Sequence, residues 1–301
     1  ALVYKFEAAT NAEEQLEIVN KINAMRSHIE TMATLSSIRH SIDTRDEFYD
    51  SEQTYWDEQG PLYEEATSAF YHAIVKSPFR AELEEKLSKQ FFTIAEFNLR
   101  SFSPEIIADL QEENKLSSLY TKLLASAKIP FDGEERTLPG MGKYLLSEDR
   151  QVREEASVAK YHFFEENEAE IDRIYDELVK VRTRIAKKLG FNNFVELGYT
   201  RMMRSDYNPE MVKNFRKQVL DYIVPVASSL YKRQEERLGY GELRYFDEKF
   251  EFKTGNATPK GSPEWILENG VKMYHELSKE TGEFFDFMVQ HQLFDLETKP
   301  G

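Results

Sequence analysis

Cysteine is absent from the 301 residues. Without a thiol there is no disulfide framework, no thiolate nucleophile and no zinc-thiolate site, which fits a reducing compartment and an expected cytoplasmic location. No run approaches the ~18 apolar residues that a membrane helix needs. The opening segment ALVYKFEAATNAEE has no basic stretch ahead of an apolar core, so no export signal is expected. Basic residues are in deficit: 39 Lys and Arg against 54 Asp and Glu leave a net charge of -15. Phosphate backbones and anionic lipid faces require a concentrated basic surface, so neither nucleic acid nor membrane is an expected partner. Glycine motifs are missing as well. There is no GxxxxGK[ST], no G-x-G-x-x-G and no G-x-S-x-G, the local signals for phosphate cradles and for an elbow serine.

What is present is a helical chain with a large apolar content. Hydrophobic residues make up 41%, with 21 Phe and 16 Tyr, ample for a packed core. The length suggests about two domains at ~150 residues each, which we place at 1–189 and 190–301. Asn11 with Glu14 three residues on forms a capping-box pattern, and Leu16, Val19, Ile22, Ile29 and Met32 follow at helical spacing. A second long helix is expected from Asp46 to Ser77, interrupted or kinked at Gly60-Pro61, pairing with the first as an antiparallel hairpin. Pro78 should open a helix with the stripe Leu83, Leu87, Phe91, Ile94 and Phe97. Three tripeptides repeat one signature of cap, proline and acid: Ser103-Pro104-Glu105, Asn208-Pro209-Glu210 and Ser262-Pro263-Glu264. Each marks a helix start.

Helical rhythm fails at Lys128–Tyr144, read as a turn or short hairpin, and at Gly239–Gly261, where LRYFDEKFEF suggests one short strand or an irregular extended piece. Ser147 should cap one helix, or two nearly continuous ones, reaching Leu189. Beyond Asn208 the stripe Met211, Phe215, Val219, Tyr222, Val226 and Leu230 should be kinked by Pro225, and Thr281-Gly282 should interrupt the last helical stretch before the aromatic turn EFFDFMVQHQLF.

Lys187–Tyr207 is the junction of this pattern. Gly190 occupies the place of a left-handed helix-closing residue. Arg201 and Arg204 lie three apart and would share a helical face. Such a pair is either a salt-bridged surface or a wall meeting a substrate's carboxylate or carbonyls, with Tyr207 beside it. His275-Glu276-Leu277-Ser278-Lys279 imitates the zinc motif His-Glu-x-x-His, but an ammonium at Lys279 cannot ligate zinc. No histidine has a glutamate three residues before it. From the residues alone, no catalytic residue and no metal ligand can be assigned.

The junction segment KKLGFNNFVELGYTRMMRSDYNPEMVKNFRKQV resembles the corresponding part of oligoendopeptidase F and its relatives, zinc metallopeptidases of the thimet oligopeptidase type. SPEWILENGVKMYHELSKETGEFFDFMVQHQLFDLETKPG and TLPGMGKYLLSEDRQVREEA resemble the same family. The resemblance implies a mainly α fold of long antiparallel helices, two-lobed and channel-forming, with one or two short hairpin or strand pieces. It implies an N-terminal helical lobe and the opening part of a catalytic lobe, forming walls of a channel for short unfolded peptides. In the family, zinc-activated water attacks the peptide carbonyl and the motif glutamate is the base. The His-Glu-x-x-His helix follows the KPG position, so the resemblance places the zinc and its ligands in a missing C-terminal part. This chain alone is then expected to bind no zinc and to be inactive. The face of Phe284, Phe285, Phe287 and Met288 should be exposed or paired with that part. Arg201, Arg204 and Tyr207 are the candidate substrate contacts. A non-enzymatic helical interaction module is the alternative.

Overall fold

The structure, a computed structural model, describes residues 1–258, 260–294 and 296. Among these, thirteen α-helices and one two-stranded sheet make the fold mainly α, as expected. Contacts divide the chain into two compact units. Of the described residues, the first holds 1–128 and 162–227, the second 129–161 and those from 228 onward. The expected boundary at 189/190 therefore falls inside the first unit.

In the first unit, α1 (Leu2–Ala8), α2 (Ala12–Ile42) and α3 (Glu47–Val75) come together with α4 (Arg80–Leu87) and α5 (Lys89–Ser101). Their shared core is built from Phe6, Val19, Phe70, Ile74, Leu83 and Phe92. Asn11 caps α2 by accepting from the Glu14 N–H at 2.9 Å, while the Glu14 carboxylate accepts from the Thr10 N–H at 2.9 Å. The buried Gln15 ties three of these pieces: it donates to the Phe6 carbonyl at 3.0 Å and accepts from the Ser77 hydroxyl at 2.6 Å.

Two expectations about breaks are refined here. Of the interruption or kink expected at Gly60-Pro61, the interruption does not occur: α3 runs through both residues as one helix. Proline cannot donate to the carbonyl four residues back, which is that of Asp57. α6 (Ile107–Ala125) supplies the missing donor: the Asn114 amide donates to the Asp57 carbonyl at 3.2 Å, and beside it Gln111 donates to the Glu58 carbonyl at 2.7 Å. Conversely, the single helix expected after Pro78 is two. Ser88 adopts φ +82, ends α4 and caps α5 by accepting from the Phe91 N–H at 3.3 Å. The break turns the face inward at Phe92 and Ala95 rather than at Phe91 and Ile94.

A second core in this unit joins α6 to α8 (Glu168–Lys188) and α9 (Phe194–Arg201) through Ile106, Leu110, Val181, Ile185 and Leu197. Gly190 closes α8 with φ +81. Its N–H donates to the Lys187 carbonyl at 3.1 Å, and the Phe191 N–H donates to Ala186 at 2.9 Å. This is the Schellman pattern. A Cβ at Gly190 would meet nothing within 4 Å, so the cost of Gly190→Ala is conformational alone. We expect a loss of about 1–2 kcal/mol, read as a lowered urea midpoint with an unchanged slope.

α10 (Pro209–Gln218) starts at Asn208, whose side chain accepts from the Met211 N–H at 3.0 Å. The disturbance expected at Pro225 takes the form of a π-turn over Val219–Ile223, immediately before α11 (Val224–Leu238).

In the second unit, β1 (Ile129–Phe131) and β2 (Glu134–Arg136) form the expected antiparallel hairpin around Asp132-Gly133. α7 (Arg150–Glu166), of which residues 150–161 belong to this unit, follows Ser147, whose hydroxyl accepts from the Asp149 N–H at 3.2 Å. Among the described residues of Gly239–Gly261 no strand forms, so the irregular alternative holds. This loop is organised on the buried Asp247 and Phe250. α12 (Pro263–Leu277) and α13 (Lys279–Gln290) pack with Tyr274 stacked on Phe285 at 4.3 Å. Their break is at Ser278, not at Thr281-Gly282, which lie inside α13. Phe285 is buried between the two helices while Phe284 and Phe287 are exposed, so the expected four-residue face is only partly open. Apart from Leu296, the residues of DLETKPG lie outside those described. No helix among the described residues is long and apolar enough to cross a membrane.

Candidate functional site

The junction between α8 and α10 carries a cluster of buried carboxylates and basic side chains. α6 presents Asp109 and Glu113 toward basic residues of α8 and α9. Glu113 accepts from Arg182 at 2.7 Å and from both terminal nitrogens of Arg201 at 3.2 and 2.9 Å. One turn away, Asp109 accepts from Arg184 and Lys188, each at 2.6 Å. Burial by itself would raise the pKa of both carboxyls. The hydrogen bonds and positive charges of these partners prevail and hold both below the ordinary range.

Arg201 and Arg204 do not share a helical face. α9 ends at Arg201, and Met203 adopts φ +53. The Met203 N–H donates to Thr200 at 3.0 Å and the Arg204 N–H to Tyr199 at 3.2 Å, repeating at Met203 the helix-closing geometry of Gly190. The reversal sends the Arg204 guanidinium over the Tyr199 ring at 4.3 Å and within 5.4 Å of the Tyr207 ring. Arg201 is thus engaged by a carboxylate and Arg204 by aromatic faces. α5 anchors the reversal: Gln90 donates to the Ser205 hydroxyl at 3.0 Å.

Beside Arg201 lies a cavity of about 140 Å³ lined by Glu64, Ser68, Tyr71, Asn98 and Met203 among others. Glu64 is the carboxylate that composition could not single out. The protein around it raises its pKa, the nearby Glu113 charge adds to the rise, and the Arg201 charge opposes it. Sequence reasoning singled out Arg201, Arg204 and Tyr207 as candidates but not Glu64, Glu113 and Arg182, which only the packing of α3, α6 and α8 brings near Arg201.

In the second unit, the His275-to-Lys279 imitation of a zinc motif is split between two helices. The His275 ring nitrogen Nε2 lies 2.9 Å from both Asp286 oxygens. No group of three or more His, Asp or Glu side chains among the described residues is arranged to hold a metal ion. The described residues therefore do not fit a zinc centre.

Comparison with known proteins decides the family. Residues 1–102 match the model of the peptidase M3 N-terminal domain, and residues 143–265 match that of peptidase family M3. The chain belongs to peptidase family M3. The solved structure of PZ peptidase A with an inhibitor is 55% identical over 100% of this chain, with a TM-score of 0.97. A Bacillus anthracis str. Ames protein assigned as oligoendopeptidase F is also 55% identical over 100% of the chain, with a TM-score of 0.97. A further oligoendopeptidase F assignment is 52% identical over 99%, again at 0.97. The chain spans 53% to 55% of the length of these three M3 structures. A search of curated proteins found no match.

Proposed function

We propose that this chain is the substrate-restricting part of an M3 zinc metallopeptidase that hydrolyses short oligopeptides. The observation that carries the reading is the superposition of the whole of this chain on 53% of a peptidase solved with an inhibitor, at 55% identity. Because the chain accounts for 53% of that peptidase's length, we place the zinc, and the water it activates, on the share of the family fold that these residues do not match. Under this reading the chain's own contribution is a wall that admits extended peptides and excludes folded ones. Arg204 and Tyr207 offer a cation and an exposed aromatic ring to a passing peptide, while Arg201, held by Glu113, positions the reversal that carries them. The setting is cytoplasmic, in keeping with the lack of cysteine.

The test uses an internally quenched short peptide and a zinc determination. The isolated chain should bind no stoichiometric zinc and cleave nothing. Mixed with the remaining polypeptide of PZ peptidase A, it should cleave the short peptide and leave a folded protein intact. In that mixture Arg204→Ala should raise KM roughly tenfold with kcat little changed. Zinc-dependent cleavage by the chain alone, or no cleavage by the mixture, would overturn the proposal.

A further inference from the structure

A second cavity of the first unit, about 550 Å³, opens between α1, α2 and α3. Val3, Ile22, Met25, Ile29 and Phe70 give it an apolar wall. Its volume lies in the range of small-molecule sites, ~300–1,000 Å³. The 140 Å³ cavity beside Arg201 adjoins it, and Glu64, Thr67 and Asn98 line both. Glu64 and Thr67 stand three apart on α3 and so share a helical face, while Asn98 comes from α5. Each brings to this waist an oxygen that accepts no hydrogen bond among the described residues. The Glu64 carboxylate feels only the more distant charges of Arg201 and Glu113. The Asn98 side-chain N–H groups are spent on the Ile94 carbonyl at 3.0 Å and the Met203 sulfur at 4.0 Å, which leaves its Oδ1. The Thr67 hydroxyl has no partner among the described residues.

Positive charge around the two cavities is already compensated. Arg26 donates to the Tyr71 hydroxyl at 3.2 Å and lies 3.5 Å from the Glu30 carboxylate. Its Nε has no partner but is sealed from water, and therefore from a ligand. Arg201 is held by Glu113 at 2.9 Å. Glu64 is thus the charge left facing the space, and it is exposed, so a ligand can reach it. A carboxylate set in a concave site without a donor is costly, and the surrounding protein raises its pKa accordingly. A cation that also donates hydrogen bonds removes that cost. An ammonium carries three N–H donors, matching the three acceptors at the waist. We propose that the first unit binds a primary amine carried on an apolar body, its ammonium held by Glu64, Thr67 and Asn98 and its apolar part in the larger cavity. A free arylalkylamine and the amino-terminal residue of a peptide both have this chemistry. The proposal goes beyond the peptidase reading and does not depend on it.

The test titrates the 301-residue chain, labelled at its methionine and isoleucine methyl groups, with phenethylammonium, phenylalanyl-glycinamide, the N-acetylated form of that dipeptide and 3-phenylpropionate. At least one of the two amines should bind one-to-one with a Kd below about 1 mM and shift the Met25 and Ile29 methyl resonances. The acetylated dipeptide and the carboxylate should bind at least about tenfold more weakly. The pattern names the source: phenethylammonium alone points to a free amine, the dipeptide alone to a peptide amino terminus, and both to the shared chemistry. Glu64→Gln should weaken binding by at least about tenfold while the urea midpoint stays at or above the parent's. Thr67→Val, which exchanges the hydroxyl for a methyl on the same helical face, gives a second reading, with an expected loss of about fivefold. Four results would overturn the proposal: no saturable shift with either amine at about 10 mM, shifts confined to methyl groups of the second unit, equal affinity for the acetylated dipeptide or the carboxylate, or affinity unchanged in both variants.

Discussion

Replacing Asp247 by asparagine is expected to destabilise the second unit by about 3–5 kcal/mol, the range for removing one partner of a buried ion pair. The Asp247 and Arg153 side chains are both fully buried and lie 2.8 Å apart. Arg150 adds a second ion pair at 2.6 Å, and the Arg244 N–H donates at 3.0 Å. Burial alone would push the Asp247 pKa up; the Arg150, Arg244 and Arg153 hydrogen bonds bring it below the ordinary value. An amide keeps the shape but removes the charge that compensates Arg153, whose guanidinium lies 4.1 Å over the Phe250 ring. The whole Arg244–Phe250 turn loses its anchor with it. The two tryptophans fall one in each unit, Trp56 in the first and Trp265 in the second. In a Trp56→Phe background, fluorescence during urea unfolding follows the second unit. A shift below about 1 kcal/mol would show that the pair does not organise the loop.

What the sequence disclosed and what it hid follow one physical distinction. Features decided within four or five residues were legible. Asn11, Asn208 and Ser262 cap helices as read, Gly190 closes one, and Asp132-Gly133 turns a hairpin, because each is a local hydrogen bond or a local backbone preference. Breaks made by residues without a local signature were not. Ser88 and Met203 both take positive φ, and neither serine nor methionine announces it, so α4 and α5 were read as one helix and Arg201 and Arg204 as one face. Pro61 shows the converse: the local rule allowed an interruption or a kink, and with donors 53 and 57 residues away in α6 the helix is not interrupted. The Glu113 cluster joins residues 69 and 88 apart. With 54 acidic residues, no spacing rule selects Glu113 or Glu64 from the rest. The family was legible because resemblance over whole segments does not depend on any single local rule.

Glu113 and Glu64 should respond to substitution with opposite signs, and acid should erase both responses. Glu113 is nearly buried, with 8% of its side chain exposed, and holds α8 and α9 to α6 through Arg182 and Arg201. Glu113→Gln is expected to cost about 2–3 kcal/mol at pH 7, below the full value for a buried pair because both arginines are partly open to solvent. The folded-state pKa is depressed from the ordinary 4.5. Its stabilisation is therefore complete above the unfolded-state value and is lost as pH falls through the lower folded value. Glu64 has a pKa raised above 4.5. Its ionisation works against folding, so the folded state is favoured below the unfolded-state value and penalised as pH rises through the folded one. Glu64→Gln should accordingly raise stability at pH 7, by less than about 1 kcal/mol for a solvent-accessible carboxylate. Urea midpoints measured from pH 7 down to the most acid pH at which the chain stays folded should show the two variants approaching the parent from opposite sides. A Glu113→Gln deficit that persists unchanged into acid would assign the cost to packing rather than to charge. A Glu64→Gln loss at pH 7 would mean that Arg201 attracts that carboxylate more strongly than its surroundings oppose its charge.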